Sequence, residues 1–180
     1  VKNKANRVVY ISSSEVYGSK LNDQPYQESD YGYVDLLNPR SCYPSSKRAS
    51  ETLCSAYASE YGLDTVVVRP GHVYGPTITD TDDRASAQFT RCAVEGKDIV
   101  MKSAGTQLRS YCYVLDCASA ILTVLLSGES GQAYNISNPN SIISIAQLAK
   151  AFAATVGKNV LFEQANAEEQ KGYNKKIGRA

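Results

Sequence analysis

Tyr43 and Lys47, in the run S-C-Y-P-S-S-K at 41–47, stand four residues apart at the start of a helical stretch, so their side chains share one face of one turn. A phenol is a poor base at neutral pH, its ordinary pKa being about 10. An ammonium fixed beside it favours the phenolate and brings proton transfer within reach. Hydride chemistry on an alcohol needs that step, because the O–H proton must leave as the hydride departs from the same carbon. Taken alone, Y-x-x-x-K also arises by chance on amphipathic helices. Its weight comes from its surroundings.

At 180 residues the chain has single-domain length and enough material for a real core. Hydrophobic residues make up 43% and charged residues 21%, the balance of an ordinary globular protein. With 19 Lys+Arg against 18 Asp+Glu, it carries no electrostatic footprint for nucleic acid or an anionic membrane. The basic residues near the ends (Lys2, Lys4 and Arg7; Lys175, Lys176 and Arg179) read as solvated termini. Cys42, Cys54, Cys92, Cys112 and Cys117 show neither C-x-x-C spacing nor an even count. They read as reduced small hydrophobes, and a cytoplasmic location is expected. No 18-residue apolar run and no signal-peptide core is present.

The elements that must position Tyr43 and Lys47 are legible in outline. Arg7–Ser12 is β-branched and apolar, a buried strand ending in hydroxyls, and 18–41 is a polar loop rich in turn formers. The helix over 43–61 stops at Gly62. Asp64–Arg69 is a second buried strand, followed by P-G-H-V-Y-G-P, whose turn residues read as too broken for an element. Helices are expected over 84–95, 114–126 and 144–156, the last N-capped by Ser144. Short strands are expected at 99–101, 109–113, 133–136 and 160–162, and the tail after about 164 should fray. Apolar strands alternating with helices predict an α/β fold with a mostly parallel sheet covered on both faces. No G-x-G-x-x-G follows an N-terminal strand, so no phosphate-cradling loop is visible.

Three segments fall into a telling order: S-S-S-E-V-Y-G at 12–18, Y-P-S-S-K at 43–47 and R-P-G-H-V-Y-G-P at 69–76. With G-T-Q-L-R-S-Y-C-Y-V-L-D at 105–116 and Y-N-I-S-N-P at 134–139, the chain resembles the extended short-chain dehydrogenase/reductases. These are NAD-dependent sugar-nucleotide epimerases, dehydratases and decarboxylases. The resemblance implies the C-terminal part of a Rossmann-like doubly wound parallel sheet plus a small substrate-binding subdomain. Residues 1–76 would form the second half of the catalytic domain, and 77–180 mainly the substrate subdomain with a return to the sheet. It also implies that about 100 residues carrying the glycine-rich loop precede this chain, which alone should bind NAD weakly.

The same resemblance assigns roles. Tyr43 would be the general base, and Lys47 would stabilise its phenolate and hold the nicotinamide ribose. Ser13 would hydrogen-bond the reacting sugar oxygen, although a strand-end hydroxyl serving local backbone is the other reading. Pro70 and Gly71 would shape the nicotinamide-side turn. Dehydratases of the family carry Asp-Glu before V-Y-G. Ser14 and Glu15 here are similar instead to UDP-glucuronate decarboxylases, with 4-epimerase, 4,6-dehydratase and a non-catalytic Rossmann-like binding module as alternatives. Arg109 would meet the substrate diphosphate or a sugar carboxylate. Arg84 is either a pocket arginine or an exposed helix-start residue, and Tyr17 and Tyr111 read as packing. His72 stands where the family usually has Asn, and is expected in the substrate pocket rather than on a metal. A homodimer through helices 43–61 and 84–95 is the expected assembly.

Overall fold

A computed structural model describes residues 5–19 and 24–163. The polar tail and the terminal residues Lys2, Lys4, Lys175, Lys176 and Arg179 lie outside them. Strands β1 (Arg7–Ile11) and β2 (Asp64–Pro70) pair in parallel in the register Val9↔Val66 and Ile11↔Val68. A later strand, β6 (Ala133–Ile136), returns to the other side of β2, also in parallel, with Val68 opposite Tyr134. Thus β2 is central, and Val66 and Val68 are fully buried. Each such valine contributes about 1.5–3 kcal/mol by leaving water.

Strand periodicity divides β2 between two helices. Helix α1 (Cys42–Tyr61) takes the face of Thr65 and Arg69, which bond to Cys54 and Glu51 on that helix. Helix α3 (Val114–Ser127) takes the opposite face, where Val68, Cys112, Cys117 and Ile136 form a core with Ala120, Ile121 and Val124. Pro44 is tolerated because it sits in the first turn of α1, where no intrahelical N–H bond is lost. Gly62, at φ 62°, closes that helix through its N–H to the Ala58 carbonyl.

The rest of the chain builds a second core. Helix α2 (Ala85–Val94) and helix α4 (Ile145–Thr155) pack together over β4 (Ile99–Met101), burying Phe89, Ile99, Met101, Tyr111, Leu148 and Ala149. Strand β8 (Val160–Phe162) pairs with β4 in parallel. Ser144 caps α4 as expected, and Gln147 reciprocates to complete a capping box.

Two strands correct the sequence reading. P-G-H-V-Y-G-P contains an element after all: β3 (His72–Tyr74) pairs in parallel with β5 (Leu108–Tyr113). The Pro and Gly residues flank these three positions rather than interrupt them. Strand β7 (Ile142–Ser144), too short to show a period, pairs antiparallel with β5. The strands are thus mostly parallel, and among the described residues they form three small sheets rather than one.

Candidate functional site

Parallel pairing ends β1 and β2 at one edge, where the Ser12 N–H donates to the Val68 carbonyl (2.8 Å). The chain leaves β1 through a 3-10 turn, Ser14–Tyr17, capped by Ser13, whose Oγ accepts from the Glu15 N–H (3.2 Å). Ser14 opens this turn and is half-buried. Gly18 then turns the chain at φ 67°, where a Cβ would collide with the Tyr33 carbonyl. Facing this edge, Tyr43 lies in the first turn of α1. One turn on, Lys47 Nζ donates to the Ile11 carbonyl (2.9 Å) and stands 5.2 Å from the Tyr10 ring centroid and 5.7 Å from that of Tyr43. Lys47 therefore ties the start of α1 to the end of β1. Tyr43 remains 46% exposed, enough for a reactant to reach its hydroxyl. Glu15 and Tyr43 line one cleft of about 470 Å³ with Gly18, Tyr33 and Asn38.

Strands β3 and β5 bring up a second set of groups. His72 lies opposite Tyr111 in the parallel register, ring centroids 5.9 Å apart and edge-on. Arg109, two residues before Tyr111, shares that face of β5. Its Nη1 donates to the Leu108 carbonyl (2.9 Å), and its charge interacts with Tyr111 and Glu15. Burial pulls Arg109 below the usual guanidinium range. His72 is pushed down to about 4, first by burial and then by the charges of Arg109 and Arg84. The fold thus places Glu15, Arg109, His72 and Arg84 within one electrostatic neighbourhood. Pro70 ends β2 opposite Ile136, and the Gly71 N–H donates to the Ile136 carbonyl (2.9 Å), fixing the turn from β2 into β3. Arg84 immediately precedes α2, its side chain 61% exposed and paired with Asp82. That position is the exposed helix start of the sequence reading.

A neutral, half-buried histidine has a measurable consequence. Between pH 6.5 and about 4 the unfolded chain binds the His72 proton and the folded chain does not, so stability falls as pH drops through that window. The urea midpoint should therefore decline from pH 7 to pH 4.5, and His72→Asn should flatten the histidine part of the slope. Equal pH slopes in wild type and variant would place His72 in contact with water.

Sequence reasoning missed a buried polar network. Arg69, 3% exposed, donates to both carboxylate oxygens of Glu51 (3.0 and 2.7 Å), to Tyr17 Oη (2.9 Å) and to the Glu28 carbonyl (2.8 Å). Its only signal was a charge inside the apolar run D-T-V-V-V-R-P. Arg69 and Glu51 line a cleft of about 1020 Å³ that contains none of the candidate residues. Among the described residues no group of three or more His, Cys, Asp or Glu could hold a metal ion. Also among them, no helix is long and apolar enough to cross a membrane.

Comparison with known proteins places these groups in a family. The model of the NAD dependent epimerase/dehydratase family matches residues 1–137. The chain is 34% identical to UDP-glucuronic acid decarboxylase 5 of Arabidopsis thaliana over 146 residues, 80% of this chain and 42% of the relative. It is also 34% identical to the dTDP-D-glucose 4,6-dehydratase of Mus musculus over 144 residues, 80% of this chain and 38% of that one. Its backbone superposes on a dTDP-glucose 4,6-dehydratase from Bacillus anthracis, solved in complex with NAD, with a TM-score of 0.76 at 26% identity. That superposition covers 92% of this chain and 54% of the other. The chain spans about two fifths of the length of these curated relatives.

Proposed function

Because the chain belongs to the NAD-dependent epimerase/dehydratase family, we propose that it carries the proton-transfer and substrate-holding residues of an enzyme that oxidises a nucleotide sugar at C4, with decarboxylation of UDP-glucuronate as its reaction. The rim where Tyr43 and Lys47 meet the C-terminal ends of β1 and β2 suits the cofactor of this family. NAD held there by Tyr43, Lys47 and the Pro70–Gly71 turn would accept the C4 hydride and return it. Tyr43 Oη takes the C4 hydroxyl proton, with the Lys47 ammonium stabilising the phenolate. The Ser13 hydroxyl accepts from the Glu15 N–H, which leaves its own hydrogen to donate to the same sugar oxygen. Arg109, His72 and Arg84 hold the anionic parts of the substrate, and Ser14, at the turn after β1, is assigned to the same binding role.

One observation favours decarboxylation. Glu15 shares the Tyr43 cleft while its charge faces Arg109, and the position before it is Ser14 rather than an acid. A glucuronate oxidised at C4 is a β-keto acid. Its C5–C6 bond breaks, CO₂ leaves, and the electron pair passes into an enolate that is then protonated at C5. No acid for loss of the C6 hydroxyl is needed, so Ser14 suffices. Arg109 steadies the carboxylate, and Glu15 orients Arg109 and the departing group.

The test is CO₂ release from UDP-glucuronate by the gene product that carries this chain. Glu15→Gln and Arg109→Ala should each lower it by about 10²-fold or more, the scale of removing a positioned charged group. C4 inversion of UDP-glucose without CO₂ would mark an epimerase, and water loss from dTDP-glucose a dehydratase. Nucleotide-sugar binding without turnover of any of them would mark a binding module. Residues 1–76 with the returning β6 form the catalytic unit in this reading, and 77–180 mainly the substrate unit. A homodimer through α1 and α2 remains the proposed assembly, with Leu53, Tyr57 and Tyr61 of α1 and Val94 of α2 exposed. The free thiols at Cys42, Cys54, Cys92, Cys112 and Cys117 fit a cytoplasmic enzyme.

A further inference from the structure

We propose that Asp82 is a positioning residue, which presets the Arg84 guanidinium so that its remaining N–H groups meet the anionic part of the nucleotide sugar. The inference rests on the reading above, in which Arg84, Arg109 and His72 together hold that anion. Asp82 grips its neighbour twice. Its Oδ1 accepts from the Arg84 backbone N–H (3.1 Å) and from Nε (2.9 Å). Its Oδ2 accepts from Nε (3.1 Å) and Nη2 (2.5 Å).

Asp82 is itself anchored. Its N–H donates to the Thr79 carbonyl (3.1 Å), and its carbonyl accepts from Arg91 Nη2 (2.6 Å), a side chain of α2 that also reaches the Thr79 carbonyl. The Asp82 side chain is 11% exposed whereas that of Arg84 is 61% exposed. The carboxylate is therefore the fixed partner and the guanidinium the presented one. The pairing with Arg84 also holds the Asp82 carboxyl down at about 2, so it is ionised across the working range of any such enzyme.

The donor count supports presentation over neutralisation. A guanidinium has five N–H groups. Asp82 occupies the Nε and Nη2 edge, and the Val73 carbonyl takes one Nη1 hydrogen at 3.4 Å. One N–H on each terminal nitrogen remains, enough for two parallel bonds to a phosphate or carboxylate. Asp82 and Arg84 also line a cleft of about 260 Å³ with Tyr74, on the strand that carries His72. Tyr74 lies two residues beyond His72, on the same face of β3, and the charge of Arg84 is felt at His72. A long exposed arginine without this grip would sample many rotamers, and fixing it on binding would cost affinity.

Two interpretations of the pair make opposite predictions. If Asp82 only competes for Arg84, removing its negative charge strengthens anion binding. If Asp82 positions Arg84, the same change weakens it, against the Coulombic trend. Calorimetric titration of the gene product that carries this chain, with UDP-glucuronate and with UDP, separates them. Asp82→Asn should weaken UDP-glucuronate binding about tenfold, as expected when one charge-assisted contact loses its geometry, with the urea midpoint unchanged. Arg84→Ala should weaken it at least as much, and the double variant no further, because the two residues act as one unit. In the free protein, the Arg84 Nε–H resonance should be protected from exchange in wild type and lose that protection in Asp82→Asn. The UDP arm shows whether the anion is the diphosphate or the sugar carboxylate, according to whether the same loss persists without the sugar. Tighter or unchanged binding by Asp82→Asn, or additive losses in the double variant, overturns the inference. Arg84→Ala binding like wild type overturns it too while leaving the Tyr43 assignment standing, and a wild-type chain that takes neither ligand overturns the functional reading with it.

Discussion

Tyr43→Phe should lower turnover of the nucleotide sugar by about 10³-fold while leaving its binding within about twofold of wild type. The substitution removes one oxygen from a residue that is 46% exposed, so the fold has little reason to change. What is lost is the proton acceptor, which matters only as the C4 hydrogen departs. Lys47→Ala should behave differently. Lys47 Nζ holds the Ile11 carbonyl as well as standing against the Tyr43 ring, so its loss should reduce turnover and also loosen the cofactor rim, raising the apparent KM for NAD. Stopped-flow measurement of hydride transfer in both variants separates the two effects. Near-normal turnover in Tyr43→Phe would reduce the Tyr43–Lys47 pair to a coincidence of helix spacing.

The parts of this site that are local in sequence were legible without coordinates. Spacing alone puts Tyr43 and Lys47 on one helix turn and Ser13 and Glu15 directly after an apolar strand, while the roles proposed for them came from the resemblance. Gly62 and Ser144 marked the end and the start of helices, because capping chemistry is written within a few residues of the break. What sequence could not show was pairing between distant segments. His72 and Tyr111 become neighbours only through the β3–β5 register, and β3 was hidden by its flanking turn residues. The charges of Arg109 on β5 and Glu15 just after β1 also come within reach of each other from different sheets, with nothing in either motif naming the other. The Asp82–Arg84 pair is the opposite case. It is local, but D-D-R reads equally as a solvated helix start, and only the burial of Asp82 against the exposure of Arg84 distinguishes the roles.

The clearest long-range feature that escaped the sequence is also where the largest stability effect is expected. Glu51→Ala should destabilise the fold by about 3–5 kcal/mol, the cost of leaving a buried charge without its counter-ion. Burial alone would favour neutral Arg69, yet the bonds from Glu51 and Tyr17 outweigh it and hold the guanidinium firmly charged. Without Glu51 that charge keeps, among the described residues, the neutral acceptors Tyr17 Oη and the Glu28 carbonyl. The disturbance spreads because the acceptors are shared. Tyr17 Oη donates to Asn135 Oδ1 (2.7 Å), 118 residues away, and Asn135 Nδ2 donates to the Tyr26 carbonyl (3.1 Å). The Tyr26 hydroxyl in turn holds the carbonyl of Gly18 (2.9 Å), a residue of the Tyr43 cleft. Weakening Arg69 thus loosens the segment that forms the cleft wall, and Glu51→Ala should expose the chain near residues 24–33 to proteolysis before the whole molecule unfolds. The paired replacement Glu51→Leu with Arg69→Met should cost less than Glu51→Ala alone, since it removes the charge together with its partner. Urea midpoints at pH 7 for the three proteins decide the matter. A Glu51→Ala loss below about 1 kcal/mol, the range of exposed ion pairs, would mean that water entering the adjacent 1020 Å³ cleft solvates Arg69 as well as the carboxylate does, and the network would then be a surface feature rather than part of the core.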